Sequence, residues 1–369
     1  MWRRLKIPLT VVALAVAAGW IIHQLSGNRD LNEVRGEHFW QSLTQVRLPY
    51  LALGISLIFF SYFLRALRWR EFLAPMKAAG VWNIFVATLV GFSAVAMLGR
   101  PGELVRPLLI ARKEKLSLSS QFGAWTLERI FDSLTVGLMI GAALLLFPPA
   151  MRARGPAAVI AAHMKATGIM LCAGAIATGI VLLQARRNTP LLIRMAHWLA
   201  QAAPQRLRSR LQAALSRMIE NFTAGLGCIE TLSRFGMCAL YSALIWVPVL
   251  LTYWAICQGL GQPLSDLSWG ALVVFLAAVI AGSLVQLPGV GGGPQVAAVL
   301  VLTQLFGIPL AIASSAGILL WVVCFMVVLI PGVPLAARED LGWKRLRALV
   351  RSGSAAGSDE DAATLTVNP

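Results

Sequence analysis

Leu98-Gly99-Arg100-Pro101-Gly102-Glu103-Leu104-Val105-Arg106 places three charges around a Pro-Gly turn in the middle of a long apolar run. Ionisable groups at such a depth are costly unless paired or wetted, which marks them as functional by default. A second set, Glu128-Arg129-Ile130-Phe131-Asp132, follows inside the next apolar run. Whether segment 83–110 crosses a bilayer once or turns back decides the fold.

Composition sets the class. Of 369 residues, 58% are apolar and only 13% charged, and the mean hydropathy is +0.73. Apolar runs at about 5–23, 49–67, 83–110, 120–147, 157–183, 236–257, 269–306 and 308–334 approach or exceed the roughly 20 residues a spanning helix needs. The chain therefore reads as an all-α polytopic membrane protein. Its N-terminal run, after Met1-Trp-Arg-Arg-Leu-Lys, reads as a first membrane helix rather than a cleaved signal, since Ala15-Val16-Ala17 sits inside the run and not after it. The five cysteines form no Cys-x-x-Cys pair and the four histidines no His-Glu-x-x-His pattern. Neither a disulfide, a metal nor a cofactor is expected.

Runs 83–110 and 269–306 are too long for one ordinary span, and each is broken near its middle by Pro-Gly. Re-entrant hairpins fit both, provided protein or water surrounds the broken backbone. With a cytoplasmic N-terminus and both segments turned back, most of the 32 Lys and Arg residues fall inside. The outside receives only Arg29, Arg35, Arg47, Arg152 and Arg154. A single crossing at 83–110 would instead export Arg112-Lys113-Glu114-Lys115. About six full spans plus two hairpins are therefore expected, with both termini cytoplasmic.

Pro101-Gly102 and Pro288-Gly289 stand 187 residues apart, and the same offset carries the second span onto the run at 236 and 120–147 onto 307–334. This predicts inverted-topology repeats, 49–147 and 236–334, within one domain at 1–340, a plan that puts a transport site at the repeat interface. Between them, in the basic connector 184–235, residues 205–222 set Leu207, Leu211, Leu215, Met218 and Phe222 on one helical face. That segment reads as a surface helix on the anionic leaflet or as an ordinary cytoplasmic connector. Residues 341–369 read as a disordered tail. The net charge of +16 follows membrane sidedness, which argues against nucleic acid as a partner.

The charged sets suggest chemistry. Arg100, Glu103 and Arg106 are spaced by three and would share a face of any helix running through Pro101. With Glu128, Arg129 and Asp132 they sum to zero, as intramembrane charges require. The network either latches hairpin to span or faces substrate, and one network can do both. In the second hairpin, Gln286-Leu-Pro288-Gly289-Val-Gly291-Gly292-Gly-Pro-Gln295 offers a glycine tip whose amides could seat an anion or simply permit close packing. Arg65-Ala-Leu-Arg68-Trp69, at the end of the second span, reads as an interfacial anchor, with capture of a lipid headgroup as the alternative.

Arg65-Ala-Leu-Arg68-Trp69, Gly99-Arg-Pro-Gly-Glu-Leu-Val-Arg106, Glu128-Arg-Ile-Phe-Asp132 and Leu287-Pro-Gly-Val-Gly-Gly-Gly293, in that order, resemble the flippase-like integral membrane family, also called the lysylphosphatidylglycerol synthase transmembrane region family. The resemblance spans roughly residues 5–340. It implies a bacterial or archaeal plasma membrane and the movement of polar lipids, including aminoacylated phospholipids, or service to glycolipid pathways. Many relatives carry Gly-Gly and a Glu where this chain has Gly289-Val290 and Gln295, so proton coupling there is not expected. Nothing after Arg338 resembles the soluble aminoacyl-transfer domain of full-length synthases, so lipid aminoacylation is not expected either.

These readings converge on a non-enzymatic lipid translocase for anionic, aminoacylated or isoprenoid-linked lipids. Arg100 and Arg106 would hold phosphate, and Glu128 and Asp132 would balance them and meet any cationic substituent. The tip from Pro288 through Gly289, Gly291 and Gly292 to Gln295 would gate. The alternatives are an intramembrane glycosyl- or lipid-modifying enzyme using Glu128 and Asp132 as acid and base, or an accessory protein bound to a lipid-synthesis enzyme.

Overall fold

The computed structural model describes residues 45–116, 118–146, 163–187, 232–287 and 291–338, with Arg194, Trp198, Gln201 and Gln212 singly. The expected first span, Pro288 and Gly289, the helix at 205–222, most of the connector and the tail lie outside these residues. The described fold is all-helical apart from two two-residue strands. In chain order the helices are α1 (Leu48–Leu73), α2 (Val81–Leu98), α3 (Val105–Glu114), α4 (Leu118–Leu146), α5 (Met164–Arg187), α6 (Leu232–Leu260), α7 (Trp269–Gly282), α8 (Gly293–Gln304), α9 (Leu310–Trp321) and α10 (Leu329–Arg338). Among the described residues, five stretches are long and apolar enough to cross a membrane: α1, α2, Ser120–Leu146, Ser233–Leu260 and Leu310–Arg338. This is a multi-pass membrane protein.

Helix α2 ends at Gly99, which takes φ 71 and so turns the chain where a side chain would be strained. A 3-10 turn at Arg100–Leu104 follows, and α3 runs back along α2. The break therefore falls at Gly99, just before the expected Pro101-Gly102. Gly102 lies so close to the Ala94 backbone that no larger residue fits there. At about 1.5 Å per residue, α3 is roughly 15 Å long, half a bilayer core. The mouth of this hairpin is clasped: Asn83 Nδ2 donates to Glu114 Oε1 at 3.0 Å, and Lys77 Nζ donates to the Glu114 carbonyl at 2.8 Å. Both ends of the segment thus lie on the same side. Burial alone would raise the Glu114 carboxyl, but the Asn83 hydrogen bond and the Lys77 ammonium 3.1 Å from its Oε2 outweigh it and hold it below its ordinary value.

The second hairpin pairs α7 with α8 through a short ribbon, β1 (Gln286–Leu287) against β2 (Gly291–Gly292), antiparallel. Gly293 donates its amide to the Val285 carbonyl at 3.1 Å. Of the glycines expected to seat an anion, Gly291, Gly292 and Gly293 are thus engaged in the tip's own pairing, while Gly289 lies outside the described residues. Neither α7, with 14 residues, nor α8, with 12, reaches across a bilayer core of about 30 Å.

Helices α1 and α6 form the spine. Arg47, just before α1, donates its amide to the Gly259 carbonyl near the end of α6 at 3.0 Å, while Arg68 near the end of α1 reaches Ser242 near the start of α6. They run antiparallel. Small residues let them approach, with Gly54 of α1 against Thr252 and Ile256 of α6. Between α9 and α10 the helix widens into a π turn at Val322–Met326, and the Tyr62 hydroxyl donates to the Cys324 carbonyl there at 3.0 Å. Such bulges commonly mark functional sites. Cys172, Cys238, Cys257 and Cys324 are free thiols.

Candidate functional site

Four arginines and two carboxylates meet between α1, α3, α4 and α6. Arg68 is fully buried and Glu128 equally so. Arg68 donates from Nη1 to Asp132 Oδ1 at 2.7 Å and to Ser242 Oγ at 2.9 Å, and from Nη2 to Glu128 Oε1 at 2.9 Å. Arg106 grips both oxygens of Glu128, the Oε1 contact being 3.1 Å, and its guanidinium stacks 4.3 Å over the Trp69 ring. Bidentate pairing and stacking on an aromatic face both suit a desolvated Arg. Arg65 approaches Asp132 at 3.5 Å between the rings of Phe92 and Trp246. Arg129 lies 3.5 Å from both Glu128 and Asp132.

Arg65, Arg68 and Trp69 are therefore not interfacial anchors. They face inward at 8%, 0% and 1% exposure because α4 supplies two carboxylates at their level and α3 supplies Arg106. The expected Arg100, Glu103 and Arg106 row is also divided. Gly99 and the 3-10 turn rotate Arg106 into the cluster and leave Arg100 on Glu103 at 2.8 Å, half-exposed. The expected balance of zero changes accordingly: among the described residues, four guanidinium groups share Glu128 and Asp132, an excess of two positive charges.

That excess opens into a cavity of about 400 Å³ lined by Arg65, Arg100, Arg129 and Asp132, with Tyr62, Trp246, Tyr253, Phe92 and Phe325 as walls. A neighbouring space of about 160 Å³ shares Arg100 and Arg129 and meets Glu103 and Arg106. Three residues that line the main cavity carry buried donors with no acceptor: Arg65 Nε, Arg129 Nε and Trp246 Nε1. Arg129 also heads a third space, an apolar groove of about 430 Å³ between α4 and α5 floored by Gly137, Gly174 and Ala175. The second hairpin reaches the main cavity through Leu276, Val279, Ile280, Ser283 and Leu284. Gly291, Gly292 and Gln295 are placed elsewhere, with the Gln295 backbone against Gly317 of α9.

Sequence reasoning missed Ser242, Trp246 and Tyr62. A signal existed, since Ser61, Arg65, Arg68 and Phe72 recur at helical spacing on α1, and Ser242, Trp246, Val249 and Tyr253 do so on α6.

The chain matches the lysylphosphatidylglycerol synthase TM region family over residues 8–332 and belongs to that family. The family ties it to lipid metabolism. Comparison with curated proteins and with solved structures gives no match.

Proposed function

We propose that the protein is a lipid translocase of a bacterial or archaeal plasma membrane, passing a polar headgroup through the arginine-lined cavity while the acyl chains stay in lipid. One observation carries this reading. Arg129 is shared by a charged cavity and an apolar groove, the two environments that the two ends of a lipid require. The headgroup ligands are Arg65 and Arg129 in this reading, in place of Arg100 and Arg106, because Arg106 is committed to Glu128 and Arg100 to Glu103.

The two hairpins are taken as re-entrant and the halves as inverted repeats, with both termini cytoplasmic. The short lengths of α3, α7 and α8 support the first point. The antiparallel packing of α1 on α6, helices related by the offset of 187, supports the second. At that offset Arg65 and Glu128 correspond to Thr252 and Ser315, both buried, so the second half keeps polarity at these levels without charge. An acid-base role for Glu128 and Asp132 loses support, since arginines occupy both oxygens of Glu128 and crowd Asp132.

The test is purified protein in proteoliposomes, reading leaflet-specific protection of a labelled anionic phospholipid. Protein-dependent loss of protection is expected. Unchanged protection for phospholipid and isoprenoid-linked lipid alike, with or without a gradient, would remove the translocase reading in favour of an accessory role.

A further inference from the structure

We propose that the cavity selects a headgroup bearing two negative charges, a phosphomonoester or diphosphate, and rejects headgroups that carry an ammonium. The inference rests on the translocase reading and goes beyond it by fixing the charge of the cargo. Three facts point the same way. The buried cluster holds two positive charges more than its carboxylates offset among the described residues, and a guanidinium cannot shed its proton to correct this. Arg65, Arg129 and Trp246 line the cavity, and each carries a buried, unpartnered donor (Nε, Nε and Nε1), so the partner they fit is an acceptor. The carboxylate that lines the cavity, Asp132, already receives Arg68 at 2.7 Å and Arg65 and Arg129 at 3.5 Å, so an incoming ammonium meets net positive charge and a carboxylate that three guanidinium groups already share.

A dianion neutralises the excess and can take a fork from each of Arg65 and Arg129. A phosphodiester carries one charge and leaves one uncompensated. A phosphodiester carrying a lysyl ester, with two ammonium groups against one phosphate charge, is net positive and brings cations into a basic pocket.

The experiment uses the full chain in proteoliposomes with three labelled lipids of identical acyl chains: phosphatidic acid, phosphatidylglycerol and lysyl-phosphatidylglycerol. Movement in that order is expected, with phosphatidic acid about tenfold faster than the lysylated lipid, as the loss of one or two charge-assisted hydrogen bonds implies. Arg129→Gln should narrow the gap between phosphatidic acid and phosphatidylglycerol. Arg65→Lys, which keeps the charge but loses the fork, should slow phosphatidic acid in particular. Equal rates for all three, or fastest movement of the lysylated lipid, overturn the charge selection and leave the translocase reading standing. Movement of none of them, and of no isoprenoid-linked phosphate with or without a gradient, overturns both. Millimolar inorganic phosphate separates the sources of the dianion. Slowed phosphatidic acid movement supports the site as drawn, whereas thermal stabilisation by phosphate without any preference among the lipids would make it a soluble-anion site and overturn the proposal.

Discussion

Arg100 Nη2 donates to the carbonyl of Ser283 at 3.0 Å, so the tips of the two hairpins touch across 183 residues of chain. The same guanidinium holds Glu103, and both Arg100 and Ser283 line the cavity. Removing this bridge should loosen the mouth of the site while leaving the core intact. With spin labels at Met97 and Leu284, wild type should give a narrow distance distribution and Arg100→Gln a broader one. An identical distribution would show that the bridge does not hold the tips.

The buried cluster predicts a strong asymmetry between its arginines. Arg68→Gln removes the cation closest to Asp132, leaves that carboxylate only the 3.5 Å contacts of Arg65 and Arg129, and buries an unsatisfied amide, so it should cost about 3 kcal/mol, read as loss of the monodisperse species after mild heating in detergent. Pairing it with Asp132→Asn should restore part of the stability, and strictly additive damage would mean that the two do not pair. Arg129→Gln should stay folded, because Glu128 and Asp132 keep Arg68 and Arg106.

Glu114 supplies a pH signature. Its folded carboxyl lies below the ordinary value, so its contribution is complete above the unfolded value near 4.5 and is lost as pH falls through the lower folded value. Lys77 is nearly half exposed, so the clasp contributes up to about 1 kcal/mol. Wild type should unfold at a higher temperature than Glu114→Gln at pH 7, and the gap should close as the pH is lowered through and below 4.5. A gap independent of pH would mean that the carboxylate charge is not what clasps the hairpin.

The all-helical class and the two broken hairpins were legible because apolar length and Pro-Gly breaks are local signals. The pairing of Glu128 and Asp132 with arginines was legible as a requirement of charge balance. Which arginines pair was not. Helix α1 is apolar nearly all round, so periodicity does not reveal that Arg65 and Arg68 turn inward, and two arginines beside a Trp at a helix end look like an anchor. The displacement of Arg106 from Arg100 depends on the positive φ of Gly99, which spacing by three does not reveal.

Hairpin closure puts Asn83 and Lys115 on one side, and the distribution of Lys and Arg predicts that it is the cytoplasmic one. Cysteines placed at Asn83 and Lys115 should react with an impermeant reagent from the cytoplasmic side, and those at Trp269 and Gly307 from the outside. Labelling of Asn83 and Lys115 from opposite sides would make the first segment a crossing and end the inverted-repeat scheme.

If a lipid enters along the groove between α4 and α5 and presents its headgroup at Arg129, blocking the groove should stop its movement. Gly174 lines that groove with open space where a side chain would stand, so Gly174→Phe fills the groove without disturbing the fold. The decisive measurement is the initial rate of labelled phosphatidic acid movement in proteoliposomes for wild type, Gly174→Phe and Arg129→Gln at equal folded protein. Both variants should fall about tenfold or more, the equivalent of losing at least ~1.4 kcal/mol of binding to the moving lipid. Wild-type rates in both would contradict the account.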